Sequence, residues 1–213
     1  MVAPIPRITI QLFAKAPLAG LAKTRLIPAL GETGAAALAK QMLQHTMAEC
    51  AQAAAQQSDG YQLNIELWAT PTPGSEAWGA ISIPEPLQVY SQADGDLGTR
   101  MATAVQQGLS HAAGVILLGS DCPAISAASL HWAAKALLKY DSCMFPTFDG
   151  GYALLGLRRY SPRLFADIAW STATVASETR SRLTECCMSL LEHSKVHDID
   201  ETADLAYLPA DWQ

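Results

Sequence analysis

The chain has 213 residues, a length that favours a single domain spanning residues 1–213. Half of the residues are apolar and 16% are charged, which is an ordinary globular balance and excludes a largely disordered protein. The formal net charge of −6 argues against a general nucleic-acid binder, so an anionic ligand has to be met by local clusters of cations.

The first half of the chain alternates predicted strands and helices. Residues 8–14 form an apolar segment typical of a buried strand, and a loop with several cations follows it. Apolar side chains then recur every three or four residues from Leu38 to Cys50, which predicts one long amphipathic helix over residues 33–57. The remaining elements of this half are strands at 63–70 and 87–91, a helix at 97–111 and a continuous apolar run at 115–118 that is typical of a central parallel strand.

The second half continues the same alternation. Ser126 is a plausible N-cap, and a Gly-rich turn at residues 149–151 suits a β-hairpin, so one antiparallel strand is expected in a mainly parallel sheet. The pattern predicts a three-layer α/β sandwich, without an internal repeat or a linker. The predicted elements are a helix at 127–139, strands at 143–148 and 152–157, a helix at 175–193, a strand at 196–199 and a helical turn at 202–208.

The cysteines and the hydropathy bear on cellular location. The chain has five cysteines, an odd number without C-x-x-C spacing, which indicates reduced and mostly buried thiols. No window approaches the roughly eighteen apolar residues that span a bilayer, and the N-terminus lacks the pattern of a signal peptide. We therefore expect a cytoplasmic protein with no membrane span.

Charge is distributed unevenly between the two ends of the chain. The first 31 residues carry four cations and no acid, whereas residues 196–213 carry five acids and no Lys or Arg. The basic loop includes a glycine that lets the backbone approach a ligand, and its cations can bond phosphate oxygens. A solvated basic loop is the alternative, and the match to a P-loop is weak because the required glycines are missing. The predicted phosphate-binding residues of this loop are Lys15, Gly20, Lys23, Thr24 and Arg25.

Two acidic clusters follow predicted strands, where ligands gather in open α/β sheets. In the first, Asp96 precedes a helix, so it is either an N-cap or, together with Arg100, part of the nucleotide site. In the second, Asp121 comes directly after the apolar run 115–118. A carboxylate there can ligate a hard cation such as magnesium, or it can cap the next turn.

A third acidic cluster lies near the C-terminus. Alternation sends Asp198 and Asp200 to the same side of an extended segment, where they repel unless a cation or a base lies between them. A solvated acidic turn is the alternative. Asp121, Asp198 and Asp200 are therefore candidate ligands of a divalent metal, Mg²⁺ or Mn²⁺. The five histidines show no ligand spacing, which disfavours a histidine metal site.

Two further segments are candidates for the site of a small acceptor. Asp149 begins a Gly-rich turn that allows close approach to a ligand, although a plain hairpin turn uses the same residues. A Trp-Ser-Thr segment is either a helix-capping corner with a core tryptophan or a wall of the acceptor pocket. The predicted acceptor-pocket residues are Gly150, Gly151, Tyr152, Trp170, Ser171 and Thr172.

Taken together, these motifs resemble the DUF2064 group of bacterial glycosyltransferase-like proteins, which is similar in fold to GT-A nucleotide-diphospho-sugar transferases. The motif order covers nearly the whole chain, from the loop at residues 15–26 to the acids at 198–200. The resemblance implies that the basic loop holds a nucleotide diphosphate, that Asp121 helps to hold a divalent metal, and that Asp198 or Asp200 completes the shell of that metal.

The resulting hypothesis is a metal-assisted transferase that passes a sugar from a nucleoside diphosphate sugar to a small acceptor. Asp121 and Asp149 are the candidate catalytic residues, with Asp149 positioning or deprotonating the acceptor hydroxyl. Two alternatives stay open. One is a nucleotidyltransferase that joins a nucleoside triphosphate to a phosphorylated acceptor and releases pyrophosphate. The other is a non-catalytic nucleotide-binding protein.

Overall fold

A computed structural model describes residues 4–56, 58, 60–79 and 81–212. Within these ranges, seven strands form one sheet with the spatial order β3-β2-β1-β4-β6-β5-β7. All neighbouring strands are parallel except that β6 runs antiparallel to β4 and β5. The strands are β1 (Arg7–Lys15), β2 (Gln62–Thr70), β3 (Gln88–Ser91), β4 (Gly114–Gly119), β5 (Ser142–Pro146), β6 (Tyr152–Leu157) and β7 (Leu190–Glu192).

Helices cover both faces of the sheet and give the predicted three-layer sandwich. The longest helix is interrupted at Gly31, which has a φ of +70°, so its regular part starts close to the predicted residue 33. Its predicted end at residue 57 lies outside the described residues. The helices are α1 (Ile27–Ala55), α2 (Leu97–Leu109), α3 (Ala127–Leu137) and α4 (Val175–Glu185).

Two apolar layers separate the helices from the sheet. One layer joins α1 and α3 to the sheet through side chains such as Leu43, Leu130 and Ile116. The other joins α2 and α4 through side chains such as Val105, Leu183 and Val115. Ile116 and Val115 are adjacent in β4 and point to opposite faces, as the alternation of a strand requires. The continuous apolar run of β4 is therefore explained by burial on both faces.

The register of the central strands brings two of the predicted clusters together. β1 and β4 are parallel neighbours, and Phe13 pairs with Gly119 at their carboxyl ends. The loop that starts at Lys15 therefore leaves the sheet beside Ser120 and Asp121. This edge is where open α/β sheets bind ligands.

The hairpin between β5 and β6 was predicted correctly. Gly150 has a φ of +95° and lies so close to Ala173 that a Cβ atom would come within 2.1 Å of its carbonyl oxygen. Glycine is therefore required at this position for both backbone conformation and space. The hairpin directs Asp149 to the same carboxyl edge of the sheet as Asp121.

Two predicted elements near the C-terminus were wrong. The predicted helix 175–193 ends at Glu185, because Cys187 has a φ of +50° and the amide of Met188 closes the last turn on Leu183. The residues after it form β7, which pairs with β5. The predicted strand 196–199 is reduced to one bridge between Val196 and Thr147, and residues 202–207 form a 3₁₀ helix.

The cysteines are all free thiols, as expected. Cys50, Cys122 and Cys143 are buried, and burial raises the pKa of the first and the third to about 12. Within the described ranges, no helix combines the length and hydropathy that a bilayer crossing requires.

Candidate functional site

Three adjoining cavities line the carboxyl edge of the sheet. The largest, here called the cationic pocket, has a volume of about 460 Å³. A second cavity of about 300 Å³, the aromatic pocket, lies beside it. The third, the carboxylate cavity, measures about 130 Å³. Asp121 lines all three cavities, so the loop after β4 is the centre of the site.

The cationic pocket contains most of the predicted phosphate-binding residues. Gly20 and Asp96 do not line it: Gly20 sits in the turn of the basic loop with a φ of +75°, and Asp96 is the N-cap of α2, accepting a 2.8 Å hydrogen bond from the Thr99 amide. That hydrogen bond lowers the pKa of the Asp96 carboxyl. The predicted residues that line the pocket are Lys15, Lys23, Thr24, Arg25 and Arg100.

Lys23 joins the basic loop to both acidic segments. Its ammonium lies 3.0 Å from Asp121 and 3.1 Å from Asp200, and only 7% of its side chain is exposed. Burial alone lowers the pKa of Lys23, but the two carboxylates outweigh it and hold the pKa above its ordinary value. Lys23 is therefore a charged ammonium fixed between two carboxylates.

Asp200 organises a second cation of the loop. Its other carboxylate oxygen accepts a 3.0 Å bond from Arg25, which is also 3.7 Å from Glu201. The backbone amide of Asp200 donates to Asp204, whose carboxylate also accepts from the amide of Glu201. The spacing of Asp198 and Asp200 predicted a cation or a basic side chain near these carboxylates. For Asp200, Lys23 and Arg25 are those basic side chains.

The acidic C-terminal segment is anchored to the loop after β4. The amide of Ile199 donates to the carbonyl of Asp121, and the thiol of Cys122 donates to the carbonyl of His197. The His197 ring is stacked between Phe148 at 4.1 Å and Tyr207 at 3.5 Å. These contacts fix the direction in which the neighbouring residue Asp198 leaves the chain.

Asp198 and Asp149 share the carboxylate cavity. Burial and the nearby Asp149 carboxylate raise the pKa of Asp198 to about 6, since both disfavour a second negative charge. Asp149 accepts hydrogen bonds from the Thr147 hydroxyl and, at 2.9 Å, from the Gly151 amide. Neither carboxylate forms an ion pair with any described residue.

The side chains of this region are of the type that binds a divalent cation. Asp121, Asp149 and Asp198 supply carboxylate oxygens to one cavity, and hard cations prefer such ligands. Among the described residues, no group of three or more acidic, His or Cys side chains converges as a metal site does.

The aromatic pocket contains five of the six predicted acceptor residues. Gly150 is the exception, since it lies behind the wall against Ala173. Sequence reasoning did not identify the apolar wall, which includes Phe13, Leu97, Met101 and Leu117. The strand alternation around Phe13 was a usable signal, because it places this side chain on the face opposite Leu12. The predicted residues that line the pocket are Gly151, Tyr152, Trp170, Ser171 and Thr172.

The chain matches one protein family over more than half of its length. The family is described as "Uncharacterized protein conserved in bacteria (DUF2064)", and the match covers residues 48–172. This range includes the loops at Asp96, Asp121 and Asp149 and the segment 170–172. A comparison with curated proteins finds no match to this chain.

Solved structures extend the likeness over nearly the whole chain. A proposed nucleotide-diphospho-sugar transferase from Desulfovibrio desulfuricans G20 is 29% identical, with a TM-score of 0.80, over 96% of this chain and 87% of that one. A CMP:2-keto-3-deoxy-manno-octonic acid synthetase complexed with CTP is 13% identical, with a TM-score of 0.58 and coverages of 95% and 96%. A 4-diphosphocytidyl-2C-methyl-D-erythritol synthase from Anaerococcus prevotii DSM 20548 is 9% identical, with a TM-score of 0.57 and coverages of 99% and 100%. The chain therefore has the fold of these nucleotide-dependent transferases.

Proposed function

Because this chain belongs to the DUF2064 family, we propose that it is a transferase that binds a nucleoside diphosphate sugar and passes the sugar to a small acceptor. The structural relative from Desulfovibrio, described as a proposed nucleotide-diphospho-sugar transferase, supports this class of reaction. The two cytidylyltransferase-type relatives support the fold alone.

The contact between two unlike pockets carries the proposal. The cationic and aromatic pockets share a wall formed by Phe13, Leu97, Ser120 and Asp121. A diphosphate in the first pocket and an acceptor in the second would therefore meet at Asp121. Placing two reactants side by side in this way removes much of the entropic barrier to a bimolecular reaction.

The cations of the first pocket would hold the leaving diphosphate. Lys23 and Arg25 are already fixed by Asp200, so little reorganisation is needed when negative charge develops on the departing group. Such preorganised charges are typically the largest contribution to transition-state stabilisation. Lys15 and Arg100 line the same pocket and add to its positive potential.

Asp121, with Asp198 or Asp200, would hold a divalent metal. When bound, Mg²⁺ or Mn²⁺ neutralises charge on the diphosphate and polarises its bond to the sugar. The cavity that Asp121 and Asp198 share supports a cation in this place.

Asp149 would position and deprotonate the acceptor. It lines the aromatic pocket and is fixed by the Thr147 hydroxyl and the Gly151 amide. The acceptor oxygen forms a bond to the anomeric carbon of the sugar, its proton passes to Asp149, and the bond from that carbon to the diphosphate oxygen breaks. The nucleoside diphosphate leaves with the electron pair of that bond.

A thermal-unfolding panel of nucleotides and nucleotide sugars, with and without Mg²⁺, tests the proposal. A ligand that binds only the folded protein raises its Tm, because the stabilisation grows with the logarithm of the ligand concentration over its Kd. We expect diphosphate sugars to raise the Tm in the presence of Mg²⁺ and the Lys23→Met variant to lose this response. Lys139→Met, an exposed substitution in the turn after α3 and outside all three cavities, is the control. A panel in which no nucleotide raises the Tm would contradict the proposal.

A further inference from the structure

We propose that the aromatic pocket selects an uncharged acceptor with a hydroxyl group and an aromatic or apolar face, and that it rejects phosphorylated and carboxylated acceptors. This inference rests on the function proposed above and specifies the acceptor class. The cavity volume of about 300 Å³ suits a small molecule.

Positive charge is concentrated in the cationic pocket and is absent from the described lining of the aromatic pocket. The cations of the cleft, Lys15, Lys23, Arg25 and Arg100, line the cationic pocket. The described residues that line the aromatic pocket include neither Lys, Arg nor His, and they include two carboxylates, Asp121 and Asp149. A phosphate in this pocket would meet negative charge without the cations that normally bind it.

The state of the two carboxylates strengthens the argument. Asp121 is paired with Lys23 at 3.0 Å, but Asp149 accepts only neutral hydrogen bonds from described residues. An anion placed beside Asp149 therefore meets an uncompensated like charge, which is unfavourable in a partly buried cavity. A hydroxyl group, in contrast, can donate a hydrogen bond to this carboxylate.

The start of α4 at the pocket does not provide an anion site either. Helix N-termini can bind phosphates through their free amides. Here, the amide of Val175 donates to Thr172, and the amide of Ala176 donates to Gly150 at 2.9 Å. The first turn also contains the acid Glu178, which accepts from Thr174. The first two amides of α4 are therefore already engaged, and Glu178 adds negative charge to the first turn.

The walls of the pocket favour a ligand with an aromatic or apolar face. Phe13, Tyr152 and Trp170 present aromatic rings, and Met101 and Val175 add apolar side chains. Burying apolar ligand surface against such walls is favourable, and aromatic pairs contribute beyond area alone. The apolar walls favour a ligand with an apolar body. The Asp149 carboxylate, which has no cation beside it among the described residues, favours a neutral hydroxyl group as its partner.

A pair of probes that differ only in a phosphate tests this inference by binding, without any requirement for turnover. The probes are 4-nitrophenyl β-glucoside and its 6-phosphate, titrated against the full chain by calorimetry with Mg²⁺ and a saturating nucleoside diphosphate. The Trp170→Ala variant assigns binding to the aromatic pocket, because binding that survives this change occurs elsewhere. We expect the neutral glucoside to bind at least tenfold more tightly than the phosphate.

Ser171 offers a matched pair of variants. Ser171 lines the pocket and is exposed, and its side chain forms no hydrogen bond with a described residue. Its φ of +62° is unfavourable for any residue with a side chain, so the backbone strain is similar in both replacements. Ser171→Arg introduces a cation, whereas Ser171→Gln adds a neutral side chain of comparable reach. We expect Ser171→Arg to reduce the preference for the neutral probe at least tenfold relative to Ser171→Gln.

The results separate this inference from the proposed function. Equal or tighter binding of the phosphate to the aromatic pocket of the unchanged protein would overturn the inference, and so would the absence of binding by both probes. Loss of the nucleotide response in the thermal panel would overturn the proposed function alone, because the preference between the two probes can still be measured without a nucleotide.

Discussion

The ammonium of Lys23 lies 3.1 Å from a carboxylate oxygen of Asp200, although 177 residues separate the two in the sequence. This contact joins the acid-free N-terminal loop to the base-free C-terminal segment. The uneven charge of the two ends of the chain therefore reflects two sides of one cleft, which the fold brings within hydrogen-bonding distance.

Replacing Lys23 by Met should lower kcat/KM by about 10² to 10³, the range typical for losing one preorganised group that stabilises developing charge. Asp200→Asn should have a smaller effect, and the double variant should lose less than the sum of the two single losses, because both changes disturb one contact. Steady-state kinetics of the four proteins measures this coupling. Strict additivity would show that Asp200 does not position Lys23.

Asp121→Asn should abolish turnover while the protein stays folded. The side chain of Asp121 is 53% exposed, so its pair with Lys23 contributes only about 1 kcal/mol or less to stability. Its position on all three cavities, however, places it between donor, acceptor and cation. Activity assays and thermal unfolding measure the two effects separately, with the exposed Asp211→Asn change as the control. Retained activity at an ordinary Mg²⁺ concentration would contradict the assignment.

The pKa of Asp198 makes stability depend on pH in a defined direction. Because this pKa is raised to about 6 in the folded protein, the native state binds one more proton than the unfolded chain between about pH 4 and pH 6. Stability without metal should therefore fall as pH rises through this window. Asp198→Asn should remove that contribution and stabilise the protein at pH 8 by about 1 kcal/mol, after allowance for solvent screening.

Addition of Mg²⁺ at pH 8 should reverse this order. The unchanged protein should gain stability because a cation that binds only the folded state shifts the equilibrium, whereas Asp198→Asn should gain little. Urea unfolding at pH 4.5, 6 and 8, with and without Mg²⁺, measures both effects. Identical pH profiles of the unchanged protein and Asp198→Asn, or equal stabilisation of both by Mg²⁺, would contradict this prediction.

Gly98→Ala should displace Trp170 and so distort the aromatic pocket that this side chain lines. A Cβ atom at Gly98 would lie 2.5 Å from the indole nitrogen of Trp170 and 2.7 Å from the carbonyl of Phe165. Overpacking of this kind costs about 1 to 3 kcal/mol and displaces the neighbouring side chain. We expect a lower Tm and a raised KM for the acceptor, with the KM for the donor less affected. Gln106→Ala, at an exposed position of the same helix, should stay within about 0.5 kcal/mol of the parent protein.

The sequence was sufficient for the sheet and for most of the cavity lining. Apolar runs marked β1 and β4, and the rule that ligands gather at the carboxyl ends of parallel strands placed Lys23, Asp121 and Asp149 at one edge. It was not sufficient for the end of α4, because apolar residues at 183, 187 and 190 fit a helix as well as a turn followed by a strand. Only the pairing of β7 with β5 decides between the two.

The partners of the charged residues also depend on tertiary structure. Alternation placed Asp198 and Asp200 on one side, but it could not show that Asp200 faces Lys23 while Asp198 shares a cavity with Asp149. The position of Asp96 directly before a predicted helix, by contrast, was enough to suggest an N-cap, and the structure shows that cap. Local sequence patterns were thus sufficient to predict caps and turns. The assignment of each charged residue to a cavity could be made only from the tertiary structure.

Product analysis distinguishes sugar transfer from nucleotidyl transfer after incubation with Mg²⁺, a neutral acceptor and either a nucleoside diphosphate sugar or a nucleoside triphosphate. We expect release of the nucleoside diphosphate and a glycosylated acceptor from the first donor, with loss of both products in Asp121→Asn. Release of pyrophosphate from the triphosphate, with no nucleoside diphosphate formed from the sugar donor, would contradict this expectation.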